Sequence, residues 1–96
     1  MKDKFIIHYE TVGRNVRYFR FLNGWTQAEL AHRCSVNAEQ ISRIENARRD
    51  YMHSTLLEVC EALEKSIFEI MQRNDDAELY HLEYVKKKEA SKKKKS

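Results

Sequence analysis

The side chains able to do chemistry in this chain are few in kind. Its four histidines, His8, His32, His53 and His81, stand at no spacing with Cys34 or Cys60 that would build a metal site. With two glycines in all, no glycine-rich loop is available to cradle a phosphate. The parts of an enzyme are missing, so no catalytic residue, metal or cofactor is assigned. What recurs instead is guanidinium and carboxamide chemistry: Gln27, Arg43, Asn46, Arg48 and Arg49 fall in one stretch. Such groups donate hydrogen bonds to oxygen and suit a polar or anionic surface.

The charge pattern points the same way. The net charge is +3, but residues 11–49 hold seven arginines against Glu29, Glu39 and Glu45. Residues 50–85 hold Lys65 and Arg73 against nine acids, and residues 86–96 hold seven lysines against Glu89. Basic groups are thus sorted into the front half and the tail, the distribution expected of a protein with one face toward a polyanion. An ordinary solvated surface explains the same numbers equally well.

The elements that must position these groups are helices. Ninety-six residues make one domain, and a chain with no proline and two glycines is poor in turn residues. Phe5, Tyr9, Val12, Val16 and Phe19 step by four, three, four and three, one stripe of a helix from near Lys4 to Leu22. Glycine costs helix stability, so the spacing leaves open whether the helix is continuous through Thr11–Gly13. Asn23-Gly24 ends the helix, and Tyr18 and Phe21 are left exposed as a second contact surface.

Two capping boxes follow, Thr26 with Glu29 and Asn37 with Gln40, and a third at Ser66 with Glu69. Leu30, Ala31 and Cys34 face inward from the second helix, and Ile41 and Ile44 from the third. A fourth carries Leu56, Leu57, Val59, Cys60 and Leu63; a fifth carries Ile67, Ile70 and Met71. Residues 1–73 therefore read as an all-α domain of five short helices. Residues 74–85 read as a short helix or a dimerisation extension, and 86–96 as a disordered lysine-rich tail. Cys34 and Cys60 are expected as reduced thiols of a cytoplasmic protein, and His32 and His81 as exposed polar residues. No run approaches a membrane span, and no small-molecule pocket is evident.

A short helix, a tight turn and another short helix is helix-turn-helix geometry. Ala31 must be small where the second helix crosses, and Val36 plugs the turn. Ala38, Glu39, Ser42 and Arg43 then face outward, the side that would enter a DNA major groove. The run VGRNVRYFRFLNGWTQAELAHRCSVNAEQISRIENARRD, followed by LLEVCEALEKSIFEIM, resembles the Cro/phage-repressor family of helix-turn-helix domains over about residues 11–72.

That resemblance implies a five-helix lambda-repressor-like fold and a cytoplasmic, bacterial, plasmid or phage-type regulator that binds double-stranded DNA. It makes Gln27 a backbone contact that buttresses the recognition helix. Ala38, Glu39, Gln40 and Arg43 become base-facing, with Ser42 beside them. Asn37 and Asn46 become backbone contacts, and Arg48 and Arg49 lie in a loop along the phosphates. Arg20 and Glu45 match a structural ion pair. Ser35 stands where the family has glycine at a positive-φ turn position, which implies either strain of about 1 kcal/mol or a slightly altered turn. Ala47 replaces another glycine. Tyr51 and Met52 replace the usual residues before the fourth helix, with Ser54 as substitute N-cap.

One recognition helix reads few base pairs, so a homodimer on a pseudo-palindrome is expected. Its interface would use Ile67, Phe68, Ile70 and Met71, with Leu79 and Leu82 and help from Tyr84 and Val85. The alternative is a protein-interaction module of the same fold, such as an antitoxin or anti-repressor.

Overall fold

The computed structural model describes residues 3–48 and 50–94, the side chains of Asp3, Lys93 and Lys94 excepted. A 3-10 turn, Asp3–Phe5, leads into six helices: α1 Ile6–Leu22, α2 Gln27–His32, α3 Ala38–Glu45, α4 His53–Leu63, α5 Ile67–Met71 and α6 Asp75–Lys94. Among the described residues there is no strand, and the all-α class expected from the sequence is the one observed. The core gathers Val12, Val16 and Phe19 of α1 with Leu30, Ala31, Ile41, Ile44, Leu56, Val59, Cys60, Leu63 and Ile70.

Local chemistry sets the helix starts. The Thr26 hydroxyl accepts from the Glu29 amide and the Glu29 carboxylate accepts from the Thr26 amide, both at 3.1 Å. Asn37 and Gln40 exchange the same bonds at 2.8 and 2.9 Å, and Ser66 and Glu69 at 3.1 Å. Each box satisfies two amide donors that a short helix would otherwise leave unpaired. Helix α4 differs: it starts at His53 behind Met52, which has no side-chain cap, and Ser54 lies inside it.

Helix α1 runs unbroken through Gly13, where the sequence left its continuity open. A Cβ at this position would lie 2.6 Å from the carbonyl oxygens of both Ile44 and Glu45. The roughly 1 kcal/mol that glycine costs a helix is the condition for seating the end of α3 directly on the α1 backbone.

The bonds that close each helix decide where a left-handed residue is needed. Ser35 does not take positive φ; among the described non-glycine residues Ala47 (φ 51°) and Glu64 (φ 56°) do. Helix α2 closes with Arg33 N–H to Leu30 O and Cys34 N–H to Ala31 O, bonds that need no left-handed residue. After α3, by contrast, Ala47 N–H reaches Ile44 O at 3.2 Å and Arg48 N–H reaches Arg43 O at 3.2 Å. That is a Schellman closure, whose C′ residue must be left-handed. Gly24 and Glu64 occupy the same place after α1 and α4. Of the two outcomes expected at Ser35, the altered turn is the one observed, and the left-handed residue is Ala47.

The largest departure is α6. Of residues 86–96, expected as disordered, 86–94 continue the helix that begins at Asp75, so the extension is twenty residues of helix; Lys95 and Ser96 lie outside the described residues. The Asn74 side chain accepts from the Ala77 amide at 3.1 Å and caps it. Lysine, glutamate and alanine are good helix formers, and lysines at the C-terminal end with Asp75, Asp76 and Glu78 at the other suit the helix dipole. Docking of the first half provides the nucleus: Ala77 is fully buried, Arg14 pairs with Glu78 at 2.7 Å, and Tyr80 stacks on Phe21 at 4.5 Å. Tyr18 and Phe21, expected as an exposed second contact surface, both meet Tyr80 of α6; Tyr18 is half-buried there, while Phe21 stays exposed. His81 is half-buried there, not exposed, and its Nδ1 is buried without a hydrogen-bond partner.

Ile70, expected in an intermolecular face, is fully buried in the protomer core because α5 is pinned to α1. The Asn15 amide, itself buried, donates to Ile70 O at 2.7 Å and Gln72 O at 2.8 Å, satisfying carbonyls that end a five-residue helix. Ile67 packs partly against the core, while Phe68 (78% exposed), Met71, Leu79 and Leu82 face solvent. Cys34 is half-buried and Cys60 buried; both are free thiols, and burial pushes both up from the ordinary thiol range. Among the described residues no helix is long and apolar enough to cross a membrane, and no cluster of metal-ligating groups occurs.

Candidate nucleic-acid interface

The second helix of the corner, α3, owes its pose to one carboxylate. Glu45 is at its C-terminal end, with a side chain fully shielded from solvent. It accepts from Arg20 Nε at 2.6 Å, Arg20 Nη2 at 2.9 Å, Gln27 Nε2 at 3.1 Å and Arg17 Nε at 3.3 Å. Helices α1, α2 and α3 therefore meet at a single anion. Arg20 also donates to Trp25 O at 2.9 Å, which ties the α1–α2 turn into the cluster.

Arg17 is the member that sequence reasoning missed. Its side chain is 3% exposed, and its Nη2 donates to Asn46 Oδ1 at 3.1 Å. The Tyr84 ring of α6 covers its other side, 4.0 Å from guanidinium carbon to ring centroid. The available signal was spacing: Arg17 lies one turn before Arg20, on the same side of α1. Asn46, the C-cap of α3, donates back to Ser42 O at 2.8 Å.

This cluster changes the meaning of the basic front half. Arg14 is paired with Glu78 and Glu10, Arg17 and Arg20 with Glu45, and Arg33 lies over Trp25 at 4.2 Å. Most of the arginine excess between residues 11 and 49 thus serves the fold. The groups left for an outside partner are on the outer side of α3 and the loop after it.

There Glu39, Ser42, Arg43 and Arg48 line one open concavity of about 440 Å³. Arg43 Nη2 donates to Glu39 Oε1 at 2.6 Å, one helical turn away, so the acid holds the arginine at the rim of the face. Gln40 and Arg43 share a second depression with Asp50, Tyr51, Met52 and Thr55. Asn37 is exposed, and its side chain and that of Gln40 are engaged in the capping box. Ala38 is half-buried against the core, which limits what it can offer outward. Gln27 is half-buried with its amide on Glu45. Arg48 is exposed; Arg49 lies outside the described residues. The arrangement offers a short helix flanked by a cationic loop, with hydrogen-bonding groups at i and i+4 along one ridge.

A helix-turn-helix family model matches residues 16–70. Among solved structures the chain is similar to a hypothetical transcription factor, NHTF, from Neisseria. The two are 25% identical with a TM-score of 0.66, covering 72% of this chain and 79% of that one. It is also similar to the clp gene regulator ClgR from C. glutamicum, at 32% identity and a TM-score of 0.61 over 66% of this chain and 81% of that one. A second structure of that regulator aligns over 88% of this chain and 86% of its own, at 25% identity and a TM-score of 0.61. No curated protein sequence matches the chain. The matched span takes in the end of α1, all of α2, α3 and α4, and α5 as far as Ile70, and the chain belongs to the Cro/C1-type helix-turn-helix family.

Proposed function

We propose that this protein is a transcriptional regulator, in its simplest form a repressor, that reads a pseudo-palindromic site in double-stranded DNA as a homodimer. The observation that carries the reading is the face of α3. Glu39, Ser42, Arg43 and Arg48 border one concavity on a helix locked to α1 and α2 through Glu45. A rigid short helix of this size fits the major groove. Arg43 is the base reader, its fork suited to guanine O6 and N7, and it is released from Glu39 when a base edge replaces the carboxylate. Arg48 and Arg49 serve phosphates, setting affinity and register but not sequence. Gln27, Asn37 and Asn46 support the backbone contacts.

Two copies are needed because one such helix spans only a few base pairs. The apolar groups each protomer leaves to solvent, Phe68 and Met71 on α5 and Leu79 and Leu82 on α6, support a second copy as partner. A DNA reader loses affinity steeply as salt rises and keeps a preference between sequences. Binding of fluorescent duplexes between about 50 and 200 mM salt tests this directly. Failure to bind any duplex at the low-salt end would turn the assignment toward a protein-interaction module such as an antitoxin or anti-repressor.

A further inference from the structure

Helix α6 lies beyond the span matched by the family, yet it is built into the domain. Its docked stripe is Ala77, Tyr80, His81 and Tyr84: Ala77 is buried, Tyr80 stacks on Phe21 and Tyr84 covers Arg17. At helical spacing the same stripe continues through Lys88, Ser91 and Lys92, with Lys87 on its margin. All four are exposed. Together with Tyr84 they line an open notch of about 530 Å³. From Tyr84 to Lys92 the overhang is about 12 Å long at 1.5 Å per residue.

The placement of this notch matters. Tyr84 is separated from Asn46, the cap of α3, only by the Arg17 guanidinium, which touches both. The inward face of the overhang therefore begins beside the C-terminal end of α3. Beyond Tyr84 that face is formed by Lys87, Lys88, Ser91 and Lys92, whose tips are amines and a hydroxyl. A protein partner would call for buried apolar area; a row of ammonium groups about one turn apart calls for a polyanion.

We propose that the α6 overhang, through Lys87, Lys88 and Lys92, is a second contact to duplex DNA, gripping phosphates that flank the segment read by α3. This rests on the DNA-binding reading above and extends its footprint along the backbone. The contact is with phosphate oxygens, so it adds affinity without changing sequence preference.

The test is the salt dependence of binding to a duplex that extends about ten base pairs beyond each half-site, one helical turn. The full-length protein is compared with Lys87→Gln/Lys88→Gln/Lys92→Gln. Glutamine is a good helix former, so helicity by circular dichroism is expected to be unchanged. Each lost phosphate contact flattens the slope of log K against log salt by about 0.9, so the triple variant is expected to lose two to three units of slope. The ratio of affinities for preferred and random duplexes is expected to stay the same. Lys88→Gln and Lys86→Gln form a matched pair, because Lys86 lies on the opposite side of α6 by register. Lys88→Gln is expected to flatten the slope and Lys86→Gln to leave it. An unchanged slope in the triple variant, or equal slopes for the two single variants, overturns this proposal while the DNA reading stands. Absence of DNA binding by the unaltered protein overturns both.

Discussion

Replacing Glu45 with glutamine changes one oxygen to nitrogen and tests what holds α3. The carboxylate is fully shielded, Arg17 is 3% exposed and Arg20 17%. Removing the charge leaves two guanidinium groups packed side by side with no anion, and aims an amide N–H at donors. Breaking a buried pair by removing one partner costs about 3–5 kcal/mol, because the remaining charge stays buried and uncompensated. Against a total of about 5–15 kcal/mol for a small domain, that is a large share. At about 4–8 °C per kcal/mol, Tm should fall by roughly 12–40 °C. The Glu39–Arg43 pair is the control. Its shortest contact is 2.6 Å, the same as between Glu45 and Arg20, but Glu39 is 70% exposed. Glu39→Gln should therefore change stability by less than about 1 kcal/mol. Urea denaturation followed by circular dichroism gives both numbers. If Glu45→Gln costs as little as Glu39→Gln, the cluster does not hold α3 and the account of its pose is wrong.

Four further outcomes follow from named contacts. Arg43→Ala should cost about 1–3 kcal/mol on the preferred duplex and relax one position of specificity, whereas equal weakening on random DNA would move Arg43 to the phosphates. Ala47→Gly relieves a left-handed alanine and should raise stability by about 0.5–1 kcal/mol in thermal melts; a fall would remove strain at this cap from the account. Tyr84→Ala uncovers Arg17 and should lower stability by about 1–3 kcal/mol, with Tyr84→Phe close to the unaltered protein, since the stack needs the ring and not the hydroxyl. His81 has its pKa lowered by burial first and then by Arg14 and Arg17. The unfolded chain thus binds its proton more readily, so the stability His81 contributes is complete above pH 6.5 and is lost as pH falls below it. Between pH 7.5 and 5.5 the unaltered protein should lose more Tm than His81→Asn; equal losses would exclude it.

The helix starts were the most legible part of the chain, because each is written locally. Thr26, Asn37 and Ser66 with their partners three residues on needed no knowledge of the rest of the fold. The all-α class and the helix-turn-helix corner followed from the spacing of apolar residues between them. What could not be read depends on distant chain. Arg17 counted as surface charge until Glu45, twenty-eight positions away, came to meet it. Gly13 lowers helix propensity and left the continuity of α1 open; its packing against the end of α3 is a tertiary fact. Both Ser35 and Ala47 stand where glycine was expected, and only the closing bonds decide which turn needs a left-handed residue. The lysine tail has the composition of a solvated segment, and it is helical because the residues before it are docked on α1. Among the site residues, the structure brings Glu39, Ser42, Arg43 and Arg48 to one concavity and turns Ile70 into the core.

The most direct measurement is selection of bound sequences from a pool of random duplexes by the purified protein at about 100 mM salt, within the range where specific and electrostatic binding separate. Enrichment of a pseudo-palindrome, with half-sites about one helical turn apart, is the expected result. A pool that binds without enrichment, or does not bind at all, would contradict the claim that α3 reads DNA.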